Sequence, residues 1–170
     1  MSETLEPALP DELDAKAERL MRRVCELDLK IATAESCTGG MLAALLTDIQ
    51  GCGHGFDRGF VTYSKAAKAD QLGIDSELLN QNDAVSEPVA RAMAEGALAR
   101  SDADIAVGIT GFAGPAGEGC EEGLVHFAVA RRDGATKHRV ERFGPLGRGP
   151  VRLKALEAML DLIEQSLRER

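Results

Sequence analysis

Between residues 11 and 28 the stretch DELDAKAERLMRRVCELD sets Leu13, Ala17, Leu20, Met21, Val24 and Leu27 three or four positions apart, with acids leading and Pro10 just outside. That period matches one stripe of an α-helix, so the spacing predicts an amphipathic N-terminal helix. Leu29 to Ala34 reads as a short strand, and TGGMLAALLTDI from Thr38 onward reads as a helix that starts from a glycine-rich turn. Residues 58–63, RGFVTY, give a second strand, followed by a polar helix near 64–72 and a shorter one near 75–80. Ser86, with Glu87 and Pro88 in the first turn, opens a helix to about residue 100, because a serine side chain satisfies free N–H groups at a helix start and proline needs no donor there.

The second half changes period. IAVGITG at 105–111, GLVHFAVA at 123–130 and HRVERF at 138–143 are β-rich and divided by glycines, and the last two can pair as an antiparallel hairpin. A final helix spans about 149–168. Strands alternating with helices predict an α/β fold: a single three-layer domain, its mixed sheet covered by helices. Residues 1–9, with Pro7 inside them and Pro10 just after, are expected to be a loose N-terminal tail, leaving 10–170 as the domain.

Composition narrows the chemistry. A chain of 170 residues, 44% hydrophobic and 28% charged, can close one core. A net charge of −8 opposes binding to a phosphate backbone, and with no Trp and one Tyr there is little to stack bases on, so no nucleic-acid partner is expected. No apolar run approaches the ~20 residues that span a bilayer, and the acidic N-terminus is no signal peptide, which points to a cytoplasmic protein without a membrane partner. The cysteines at 25, 37, 52 and 120 and the histidines at 54, 126 and 138 fall singly, so no metal, cofactor or disulfide framework is expected. A small molecule is the expected partner.

Four places carry candidate chemistry. Ser36, in Glu35-Ser36-Cys37-Thr38-Gly39-Gly40, stands where a strand meets a helix, a turn that exposes a hydroxyl beside backbone N–H groups. It is either a nucleophile or, like Thr38, a helix cap. Cys37 competes as nucleophile, but no sequence feature supplies a base for it. Thr62-Tyr63-Ser64, with Lys65 and Lys68 behind it, ends the second strand; if both junctions open on one sheet edge, Lys68 reaches Ser36 and can serve as its base, the alternative being two surface lysines. Thr110-Gly111-Phe112-Ala113-Gly114-Pro115-Ala116-Gly117 runs a strand into a glycine-rich loop, either an anion cradle or a plain connection. Arg148 and Arg152 flank the start of the last helix, where a phosphate would gain from both guanidinium groups and helix N–H groups, although many helices begin with arginine.

Taken together, ATAESCTGG at 32–40, DRGFVTYS followed by Lys68, AVSEPVARAMAEGAL at 84–98 and TGFAGPAG at 110–117 resemble the C-terminal domain of the competence/damage-inducible protein CinA, the nicotinamide mononucleotide amidohydrolase family. The resemblance runs from about residue 14 to 168 and implies the stand-alone form of that domain. It implies deamidation of nicotinamide mononucleotide to nicotinate mononucleotide and ammonia, in pyridine nucleotide salvage, by a homodimer that needs no metal or cofactor. By matching positions Ser36 would be the nucleophile, Lys68 its base and Tyr63 a partner. Thr38, Gly39, Gly40, Thr110, Gly111, Gly114, Arg148 and Arg152 would bind substrate. The chain departs from the family at Gly51-Cys52-Gly53, where Gly-Ser-Ser is usual, at Lys65 in place of Asn, in the loop Glu118 to Leu124, and at Gly144 to Arg148, where Gly-Asp-Arg is usual. Two further readings are a non-catalytic nucleotide-binding or interaction module of the same fold, linked to competence or the DNA damage response, and hydrolysis of some other amide.

Overall fold

The computed structural model describes residues 9–169. Most of the expected N-terminal tail lies outside the described residues, while Leu9 packs against the core. The elements run α1 (Asp11–Glu26), β1 (Ile31–Glu35), α2 (Met41–Thr47), a 3-10 turn (Gly53–Gly55), β2 (Phe56–Val61), α3 (Lys65–Leu72), α4 (Ser76–Gln81), α5 (Glu87–Ala99), β3 (Ile105–Gly111), β4 (Leu124–Arg131), β5 (Gly134–Arg142) and α6 (Arg148–Arg168). Among the described residues no helix is long and apolar enough to cross a membrane.

The five strands lie in the order β2-β1-β3-β4-β5. β1 is parallel to both β2 and β3, whereas β4 is antiparallel to its neighbours β3 and β5, so the sheet is mixed and the late hairpin forms. Side chains alternate between the two faces of a strand. Ile31, Ile105, Val107, Ile109, Val125, Phe127 and Val129 therefore share one face and pack with α1, α2 and α6. The opposite face is built from small residues: Ala32, Ala34 and Ala106 lie against Leu72, Val89, Met93 and Ala97, and Ala128 and Ala130 against Ala90 and Ala94. Small residues let α5 approach closely. A Cβ on Gly108 would lie 2.5 Å from the Ala90 carbonyl oxygen and 2.9 Å from the Ala94 nitrogen, so only glycine fits there.

Several boundaries differ from the sequence expectation. α2 starts at Met41 and not Thr38, because Gly39 and Gly40 take φ of 61° and 94°, a left-handed turn that other residues resist. β2 begins at Phe56 and stops at Val61, which leaves Thr62 and Tyr63 in the following loop. β5 begins at Gly134, earlier than its apolar pattern indicates, since its first residues are held by pairing with β4. Ser86 does precede α5, but its hydroxyl caps nothing and is buried without a hydrogen-bond partner.

Candidate active site

Ser36 is the first residue beyond β1. Its N–H donates to the Ile109 carbonyl at 3.0 Å, fastening the turn to β3, and its own carbonyl accepts from Gly39 N–H at 3.1 Å. The helix start that follows is capped by Glu35, a fully buried carboxylate at the end of β1. Its Oε2 accepts from Thr38 Oγ1 at 2.6 Å and Leu42 N–H at 3.0 Å, and its Oε1 from Ala43 N–H at 2.9 Å. A negative group with three donors at a helix N-terminus satisfies both hydrogen bonding and the helix dipole. Capping by Glu35 removes that task from Ser36, and the Thr38 hydroxyl is consumed by the carboxylate.

The Ser36 hydroxyl instead meets Lys68. Ser64 caps α3 by accepting from Ala67 N–H at 3.0 Å, which sets Lys68 on the inner face one turn later. Lys68 is 1% exposed and Ser36 8%. The Lys68 Nζ donates to Ser36 Oγ at 3.0 Å, to the Thr62 carbonyl at 2.7 Å and to the Tyr63 carbonyl at 3.4 Å. All three acceptors are neutral oxygens. Burial without a compensating carboxylate disfavours the ammonium, and the lysine is pushed down from 10.5 to about 8, with Cys37 pulling weakly the other way. No neighbouring positive charge contributes to the lowering, and Lys65 is exposed. Cys37 is buried and its thiol is pushed up to about 12, chiefly by burial, so it offers no thiolate near neutral pH.

The pair opens on a cleft of about 210 Å³ at the carboxyl ends of the parallel strands. Tyr63 stands at its rim, 69% exposed, and meets Lys68 through its carbonyl. Thr110 lines the cleft, and its hydroxyl donates to the Ala84 carbonyl at 2.6 Å, pinning the 84–85 segment as a second wall that the sequence did not reveal. Gly111 and Gly114 also line it. A Cβ on Gly111 would meet the Leu124 carbonyl at 2.8 Å, and one on Gly114 would meet the Arg148 guanidinium at 3.1 Å. The two arginines separate. Arg148 lines the cleft, whereas Arg152 donates from Nε to the Cys37 carbonyl at 2.7 Å and braces the serine turn from behind. Thr38, Gly39, Gly40 and Arg152 thus build the turn that carries Ser36 and do not line the cleft. A larger hollow of about 380 Å³ between α1 and the end of α2 is lined by Asp11, Asp14, Glu18, Arg22 and Asp48, and no serine, threonine, cysteine or lysine lines it.

Glu35 was not singled out from the sequence; its only signal was a carboxylate between an apolar strand and a Gly-Gly helix start. The histidines do not all stand apart, since His126 and His138 meet across two strands. Among the described residues no three His, Cys, Asp or Glu side chains assemble to hold a metal.

A serine turn at the carboxyl edge of a parallel strand pair, with a buried lysine on its hydroxyl, defines a single-domain α/β protein with a serine–lysine site. Residues 13–167 match the CinA C-terminal domain, and the chain belongs to the CinA family. It is similar to a CinA-like protein of Akkermansia muciniphila, 46% identical over 147 residues, which covers 81% of this chain and 35% of that one. A CinA-like protein of Mycobacterium marinum is 48% identical over 145 residues, covering 84% of this chain and 34% of the relative. The chain therefore spans about a third of the length of these curated relatives. Among solved structures, the competence/damage inducible protein CihA of Agrobacterium tumefaciens superposes with a TM-score of 0.90 at 41% identity, covering 97% of this chain and 98% of that one. A CinA superfamily protein of Escherichia coli gives 0.85 at 33% identity, covering 96% and 99%.

Proposed function

We propose that the chain is an amidohydrolase that converts nicotinamide mononucleotide to nicotinate mononucleotide and ammonia through Ser36 and Lys68. The observation that carries this reading is the 3.0 Å contact between a buried lysine, lowered to about 8 among neutral acceptors, and a serine hydroxyl at a cleft. An amide is a poor electrophile, so its attack needs an activated hydroxyl and a proton for the departing nitrogen. Neutral Lys68 takes the Ser36 proton as Oγ bonds to the carboxamide carbon. The C–N bond then breaks, Lys68 returns that proton to the leaving nitrogen, and ammonia departs. Water attacks the resulting ester, with Lys68 again taking and returning a proton, which releases the carboxylate and restores Ser36.

The cleft is smaller than the usual ligand site and suits the pyridine ring alone, with ribose and phosphate extending outward. Arg148 and the N-terminus of α6 lie on that path and supply charge-assisted donors for the phosphate. The test is ammonia release from nicotinamide mononucleotide by the pure protein, beside Ser36→Ala, which removes the nucleophile and little volume. The variant is expected to bind nucleotide and to lose roughly a thousandfold or more in kcat. Nucleotide binding by the wild type without ammonia release would identify a binding module instead, and turnover in Ser36→Ala within about tenfold of wild type would remove Ser36 as nucleophile.

A further inference from the structure

The serine–lysine scheme uses none of the three histidines. His126 on β4 and His138 on β5 sit diagonally in the antiparallel register, His126 opposite Val140 and His138 opposite Ala128, on the sheet face that carries α5. Their rings stack with centroids 5.2 Å apart and planes inclined by 27°. His126 Nδ1 lies 2.9 Å from His138 Nε2, and the other nitrogen of His138, Nδ1, lies 3.5 Å from a carboxylate oxygen of Glu87 in the first turn of α5. Neither ring lines the cleft.

This is the layout of a histidine ligand held by an outer carboxylate. At 3.5 Å the Glu87 carboxylate favours the tautomer of His138 that carries its proton on Nδ1, which leaves the Nε2 lone pair turned toward His126. We propose that His126 Nδ1 and His138 Nε2 form a binding site for a divalent late transition ion such as Zn²⁺ or Ni²⁺, with Glu87 as the carboxylate that orients His138. On uptake the ion replaces the one proton shared by the pair: the His126 proton moves from Nδ1 to Nε2, two nitrogen–metal bonds form, and nothing is oxidised or reduced. Two imidazole nitrogens on one ion, with bonds of about 2.0–2.1 Å, stand about 3.0–3.4 Å apart, so the rings need to open by only a few tenths of an ångström.

The surroundings fit a water-completed site of moderate affinity. Burial, and for His126 its histidine neighbour, hold both rings below 6.5 against the pull of Glu87, which keeps them in the uncharged form that binds metal. The cations that face the pair are Arg91 from α5 and Arg142 from β5. Arg91 is engaged by Glu87 and the Thr136 carbonyl, and Arg142 by Glu121. With two protein nitrogens and no third His, Cys, Asp or Glu assembled among the described residues, binding belongs in the micromolar range, far from that of a closed structural zinc site.

The test is calorimetric titration of chelator-treated protein with Zn²⁺ and, separately, Ni²⁺, and it is independent of the amidohydrolase reading. One equivalent is expected to bind in the micromolar range. His126→Gln and His138→Gln, each checked for an unchanged circular dichroism spectrum, are expected to weaken binding at least tenfold. Glu87→Gln, which keeps both ligand nitrogens, is expected to weaken it by about tenfold, and His54→Gln to leave it unaltered. Failure of either ion to saturate the protein by about 1 mM, or binding that survives both histidine substitutions, would leave only a hydrogen-bonded pair and overturn the site.

Discussion

Lys68 decides whether the site is a catalyst or a charged pocket. To accept a proton from Ser36 it must be neutral, and with its value at about 8 roughly a tenth of molecules qualify at pH 7, a share that grows tenfold per pH unit below 8 and levels off above. Ammonia release is therefore expected to rise with pH through about 8 and then flatten. Lys68→Arg keeps the charge but cannot deprotonate, so it should fail as badly as Lys68→Ala despite its conservative look. Retention of most turnover by Lys68→Arg would make the lysine a charge partner only. The two arginines call for opposite kinetic signatures. Arg148→Ala, in the cleft wall, is expected to raise KM for the mononucleotide about tenfold with little change in kcat. Arg152→Ala releases the Cys37 carbonyl and loosens the serine turn, so kcat should drop by tenfold or more while KM moves little. If Arg152→Ala shifts KM alone, it touches substrate and the bracing role is wrong.

At the scale of elements, the apolar period of α1, the apolar run of β3 and the β-rich stretch of β4 were legible because each is set by burial on a known face. The boundaries that slipped were set by partners distant in sequence. The start of β5 depends on its register with β4, and the start of α2 on two left-handed glycines and a carboxylate from the preceding strand. The Ser36–Lys68 contact was readable only as a conditional, since a strand-to-helix turn does not say which residue caps the helix until Glu35 is seen in place. The separation of Arg148 from Arg152 was not readable at all, because residues four apart share one helix face, and which of them reaches the cleft depends on how α6 docks against the serine turn. The meeting of His126 and His138 was hidden for a similar reason: it follows from a diagonal offset between strands. The alanine-and-glycine face against α5 gives a test at this scale. Gly108→Ala forces a Cβ to within 2.5 Å of helix backbone, and overpacking of this kind costs about 1–3 kcal/mol, so Tm is expected to fall by several degrees. An unchanged Tm would mean that α5 rides higher on the sheet than its contacts with β3 require.

For the whole molecule, the strand order places β1 between β2 and β3, so three junctions, at residues 36, 62–68 and 110–114, converge on one carboxyl edge, as open α/β sheets do at their ligand sites. That convergence buries a lysine against neutral oxygens, and the fold bears the cost. Between pH 8 and 10.5 the unfolded chain still holds the Lys68 proton while the folded protein has released it, so stability contributed through this group rises with pH across that window. Below about 8 both states carry the proton and the penalty of the buried cation is constant. A Lys68→Met variant lacks this titration, whereas every other ionisable group is common to both proteins. The stability of the wild type minus that of Lys68→Met, from urea unfolding at a series of pH values, is therefore expected to rise by about 3 kcal/mol between pH 8 and 10.5, the equivalent of lowering the lysine from 10.5 to about 8. A difference that stays flat with pH would show that Lys68 titrates in the folded protein as it does in water. The lysine would then be charged at any working pH, and the proton of Ser36 would need another acceptor.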